Sequence, residues 1–149
     1  MSKYLEYVSQ LAINNIEAGG GPFGACIVYR GEIIAEGVNE THLVNDITRH
    51  AELIAIEKAQ KHLDTMDLSE CVMYASAHPC AMCLGAIGFS NIKEVYYSNT
   101  LEEAQAVGLG LSLNIYNFIK GHEEALDLKF EHVESDLNPM KSYQEKHKV

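Results

Sequence analysis

Two short segments constrain this chain more than any others. His50-Ala51-Glu52 and Pro79-Cys80-Ala81-Met82-Cys83 each open an apolar stretch with helical spacing, and both carry metal-binding side chains. Cys80 and Cys83 are three positions apart, so they share one side of a first helical turn and both sulfurs can reach one ion. The positive end of a helix favours thiolates over thiols. His50, at the start of the other helix, offers a third donor. Any fold of this chain must therefore bring two helix starts, remote in sequence, to one point. Three protein donors with one open corner is the pattern of catalytic zinc, whereas structural zinc closes all four corners.

The open corner takes water, whose pKa falls from ~15.7 to roughly 7 on zinc. Glu52 is the candidate to carry a proton, although residues two apart on a regular helix diverge. Two other readings of the same residues exist. A structural zinc site would need a fourth ligand from Cys71, His42 or His78. A thioredoxin-like dithiol would use Cys80 and Cys83 but leave the His-x-Glu and the proline unexplained. Cys26 and Cys71 lie in apolar runs and read as buried, inert thiols.

The rest of the chain supplies a frame. Apolar groups at Leu5, Val8, Leu11, Ala12 and Ile16 predict a helix over 4–18, broken by Gly19-Gly20-Gly21-Pro22. Gly24 to Tyr29 and Glu32 to Glu36 read as a hairpin around Arg30-Gly31. A polar loop over 38–48 leads to a helix from Arg49 to about His62, with Thr48 as N-cap. Cys71 to Ala75 and Ile92 to Tyr97 read as strands flanking a helix that runs from Pro79 to about Phe89. Leu101 to Ala106 and Leu113 to Ile119 read as further helices. The alternation from Leu126 to Val133 suggests a last strand, and the final dozen residues are weakly specified. Strands alternating with helices predict an α/β fold with a mixed sheet and helices on both faces. No repeat or linker divides the chain, so one domain is expected over 1–149, with a variable tail from about 110.

Bulk properties exclude several classes. At 47% hydrophobic and 21% charged, the chain has the composition of a folded domain, not a disordered one. A net charge of −10 repels phosphate backbones, so no nucleic-acid partner is expected. No apolar stretch reaches membrane-spanning length and the first residues lack a signal-peptide layout, so a cytoplasmic protein with no membrane partner is expected.

H-x-E followed by P-C-x-x-C, with a glutamate that is not a ligand, is the signature of zinc deaminases. Gly20-Gly21-Pro22-Phe23-Gly24-Ala25, Asn39, Asp46, Thr48 and Cys80-Ala81-Met82-Cys83-Leu84-Gly85-Ala86-Ile87 extend the match. From about residue 5 to about residue 108 the chain resembles bacterial guanine deaminases of the cytidine deaminase superfamily. The resemblance implies a three-layer fold with a five-stranded sheet and a homodimer. It implies one zinc per chain on His50, Cys80 and Cys83, with Glu52 as proton shuttle. It also implies that Asn39 hydrogen-bonds a free nucleobase, and that Phe23 and the backbone near Ala25 and Ala77 line the pocket.

The chain departs from that pattern in places. His78, a further pocket candidate, stands where the family has an acid. Leu109-Gly110-Leu111-Ser112 stands where guanine deaminases carry purine-recognising acids, and the terminal aromatic is replaced by Val149. Glu134 or Asp136 could supply an acid from the tail. The expected reaction is hydrolytic deamination, with guanine first and cytosine, isocytosine or another amino-heterocycle next. A tRNA adenosine deaminase and a non-catalytic zinc-stabilised module are the remaining alternatives.

Overall fold

The computed structural model describes residues 2–148. Its elements are α1 (Ser2–Glu17), β1 (Gly24–Tyr29), β2 (Glu32–Val38), α2 (Thr41–Val44), α3 (Ala51–Leu63), β3 (Cys71–Ala77), α4 (Ala81–Phe89), β4 (Glu94–Asn99), α5 (Leu101–Ala106), α6 (Leu111–Ile119) and α7 (Pro139–His147). The sheet order is β2-β1-β3-β4, with β1 antiparallel to both neighbours and β3 parallel to β4. The two short strands around Arg30-Gly31 do form a hairpin. The parallel pair is joined by α4, as a crossover requires.

The two central strands show why helices cover both faces. Successive side chains of a strand point to opposite sides. On β1, Ala25 and Ile27 face one core with Met73 and Ala75 of β3, Ala51, Ala55 and Ala59 of α3, and Ile87 of α4. Cys26 and Val28 face the other, with Tyr74 of β3 and Val8 of α1. Both strands are therefore buried on both sides and read as continuous apolar runs. Two glycines let the helices approach. A Cβ on Gly24 would lie 2.6 Å from the Val8 carbonyl oxygen of α1, and one on Gly37 would run into the Ala51 carbonyl oxygen of α3. The second contact seats the start of α3, which carries His50 and Glu52, directly on the sheet.

Several local expectations are corrected. Among the described residues the sheet has four strands, not five. Leu126 to Val133 forms no strand: it pairs with no sheet edge, and Phe130 and Val133 remain 82% and 78% exposed. Alternation alone does not make a strand without a partner edge. The loop over 38–48 includes the single turn α2. Thr48 does not cap α3: its hydroxyl donates to Asp46 Oδ1 at 2.6 Å, and His50 occupies the N-cap position. The final residues form α7, with Asn138 accepting from the Lys141 N–H at 3.1 Å and Pro139 at the first turn. No described helix is long and apolar enough to cross a membrane.

Candidate active site

The starts of α3 and α4 meet. His50 is the N-cap of α3 and Cys80 the N-cap of α4, both with extended backbone. Cys80 Sγ lies 3.5 Å from His50 Nδ1 and 3.5 Å from Cys83 Sγ, and Cys83 Sγ lies 3.5 Å from His50 Nδ1. These donors form a nearly equilateral triangle, and among the described residues they are the one cluster able to hold a metal. The separation of the sulfurs rules out a disulfide, whose bond is about 2.05 Å. A tetrahedral zinc with bonds of about 2.3 Å to sulfur and about 2.0–2.1 Å to nitrogen spaces its donors roughly 3.6–3.8 Å apart. The observed triangle fits within a few tenths of an ångström. Two thiolates and one imidazole are also the donor chemistry zinc prefers.

The extended backbone of His50 resolves the spacing problem of Glu52. Because His50 precedes the helix proper, the pair is not two positions along a helical face. Glu52 sits in the first turn of α3, buried, close enough for the Cys80 and His50 charges and a Cys83 hydrogen bond to act on it. Burial pushes its carboxyl up to about 7. The two sulfurs share a hydrogen bond, which holds the Cys80 thiol below the usual range and the Cys83 thiol above it. His50 is raised chiefly by its hydrogen bond to Cys80, against the effect of burial. The remaining protons leave when a metal takes their place.

The potential fourth ligands lie elsewhere. Cys71 is buried in the α3-side core, His42 Nδ1 contacts the Thr41 hydroxyl at 3.2 Å, and His78 Nδ1 contacts the Pro79 carbonyl at 2.8 Å.

The pocket candidates divide. Phe23 and Ala77 line one cavity of about 210 Å³ with Asn99, Glu103 and Leu109. Asn39 adjoins this wall, donating its backbone N–H to the Phe23 carbonyl at 3.2 Å. Asn15 Nδ2 donates to the Asn39 and Gly21 carbonyls at 2.8 and 2.9 Å, tying the glycine loop to Asn39. Ala25 is fully buried within the sheet core and does not line the cavity. His78 lies outside it too, with its ring edge-on to Tyr97 and Tyr116. Sequence reasoning missed Asn15, Asn99, Glu103 and Tyr116. Only Glu103 left a local trace, as the last residue of the Thr100-x-x-Glu103 capping box.

Residues 1–99 match the family described as the cytidine and deoxycytidylate deaminase zinc-binding region. The chain belongs to that family. It is a zinc-binding hydrolytic deaminase, as its motif implied. It is 43% identical over 122 residues to the guanine deaminase of Bacillus subtilis, covering 81% of this chain and 78% of that protein. The solved structure of the B. subtilis enzyme superposes with a TM-score of 0.88 over 99% of this chain and 94% of its own. A guanine deaminase structure from Nitrosomonas europaea gives a TM-score of 0.67 at 36% identity, over 70% of this chain and 62% of that one. A tRNA-specific adenosine deaminase of Aquifex aeolicus is 38% identical over 97 residues, 62% of this chain and 64% of that protein.

Proposed function

We propose that this deaminase acts on free guanine, converting guanine and water to xanthine and ammonia. The observation that carries this reading is the superposition on B. subtilis guanine deaminase across 99% of the chain, beyond the family's common segment.

His50, Cys80 and Cys83 would hold zinc, which supplies Lewis-acid activation of water at neutral pH. Water adds at the ring carbon bearing the amine. Glu52 takes a proton from the water and passes it to the ring nitrogen, then carries the second to the departing amine. Burial raises the carboxyl of Glu52 in the metal-free protein, which favours its taking up a proton, and a base works best with a pKa near the working pH. Asn39 would recognise the ring. Its Oδ1 accepts from the Thr41 N–H and hydroxyl at 3.2 and 3.0 Å, so its Nδ2 is left as a donor for a ring acceptor. Phe23 and Ala77 wall the ring.

A homodimer fits the outer face of α4, where Leu84 and Phe89 are exposed. A cytoplasmic role in purine breakdown fits the reaction. tRNA is a second reading, favoured by the likeness to the A. aeolicus enzyme and opposed by the net charge of −10.

The test is ammonia release from guanine, cytosine, isocytosine and adenine by protein of measured zinc content, alongside Glu52→Gln. Turnover of guanine that vanishes in the variant while zinc stays bound is expected. Retained turnover in the variant would refute the role of Glu52. Inactivity on guanine with turnover of another base would replace the substrate, and salt-sensitive tRNA binding would favour the second reading.

A further inference from the structure

The Pro79 carbonyl oxygen receives two hydrogen bonds at once. The Tyr116 hydroxyl of α6 donates to it at 2.7 Å, and His78 Nδ1 lies 2.8 Å away. A carbonyl can only accept, so His78 Nδ1 must carry its hydrogen. The first carbonyl that α4 uses is that of Cys80, which accepts from the Leu84 N–H at 2.8 Å. The Pro79 carbonyl therefore stands one residue outside the helix, within a buried residue, and α4 offers it no partner. Left without donors, such a buried group is destabilising.

That carbonyl belongs to the peptide group that ends at the Cys80 nitrogen. Turning it swings the Cα–Cβ bond that carries the Cys80 sulfur. The two donors are themselves held in place. The His78 backbone N–H donates to the Asn99 carbonyl at 2.8 Å, and its ring packs edge-on against Tyr97 at 4.8 Å and Tyr116 at 5.4 Å. Burial pushes the Tyr116 hydroxyl up, so it remains a donor at any working pH.

We infer that Tyr116 and His78 are positioning residues for the Cys80 sulfur: they pin the Pro79 carbonyl from two sides and so slow the loss of zinc. Resting on the assignment of Cys80 as a zinc ligand, the inference gives a function to the histidine that replaces the family's acid. It also ties α6, which lies beyond the family's matched residues 1–99, to the metal centre. Partners behind metal ligands commonly change metal affinity by about 10–100-fold.

The test uses zinc-loaded protein without substrate, challenged with a coloured chelator. Tyr116→Phe keeps the ring and removes the hydroxyl; it should release zinc about tenfold faster. His78→Phe should do the same. His78→Asn places an amide N–H where Nδ1 stood and should restore slow release, which a role in packing alone would not produce. Cobalt-loaded Tyr116→Phe should show shifted sulfur-to-metal charge-transfer bands. Release within twofold of wild type in both Phe variants overturns the inference, as does His78→Asn behaving like His78→Phe. If Tyr116→Phe does not fold, the two His78 variants decide the matter. Wild-type protein that binds no zinc would overturn the functional reading as well, whereas zinc-loaded wild type with unchanged variants overturns this inference alone.

Discussion

The metal-bearing half and the C-terminal stretch of this molecule treat apolar side chains in opposite ways. In the first, β1 and β3 are buried on both faces, the start of α3 is seated on that sheet, and Ile87 of α4 packs into the same core. In the second, Phe130, Leu137 and Met140 are each more than 70% exposed. The difference teaches where precision comes from. Donors held 3.5 Å apart need a backbone that cannot drift, and only close packing supplies that. The stretch after α6 has no comparable frame within the chain.

The strongest test of this contrast lies inside the packed half. Glu52→Gln should lower ammonia release from guanine by about 10²–10⁴-fold, the range for losing a general acid–base, with zinc content unchanged by metal analysis. Next comes the core. Met73 of β3 is fully buried in the core cluster that also holds Ala51, Ala55 and Ala59 of α3. Met73→Ala should cost about 2–5 kcal/mol in urea unfolding; a cost below 1 kcal/mol would show that the sheet does not frame the site.

A pH effect of similar size is expected in the zinc-free protein. Folded Glu52 keeps its proton to about pH 7, whereas the unfolded carboxyl releases it near 4.5. Between those values the folded state binds more protons, so stability falls as pH rises through the window and is fully present below it. A displacement of this size corresponds to about 3 kcal/mol. Wild type should lose that much more than Glu52→Gln between pH 4.5 and 7, and equal slopes would refute the burial argument.

Gly37→Ala should cost about 1–3 kcal/mol, because its Cβ would meet the Ala51 carbonyl. It should also weaken zinc retention by shifting the start of α3. The smallest effect belongs to the tail: Phe130→Ala should change monomer stability by less than about 0.5 kcal/mol. A larger loss would mean that the exposed stretch is covered in solution.

Much of the packed half was legible in advance. Helix starts announce themselves locally, so the positions of His50, Glu52, Cys80 and Cys83 at two helix openings could be read from spacing and a flanking proline. The strand runs at Gly24 and Cys71 were legible because both faces are buried. The tail misled for the converse reason: the pattern from Leu126 to Val133 alternates, but a strand exists only where another edge accepts its hydrogen bonds. Asn15 and Tyr116 were invisible because their partners, the Asn39 and Pro79 carbonyls, are backbone groups far away in sequence.

Taken alone, the order of residues determined the donor set, the reaction class and the alternation of helices with strands, since each depends on side-chain identity and short-range spacing. Only the tertiary structure decided the strand count, the seating of α3 on Gly37, the meeting of the α3 and α4 starts and the two donors on the Pro79 carbonyl. Those depend on contacts between segments that no local pattern encodes.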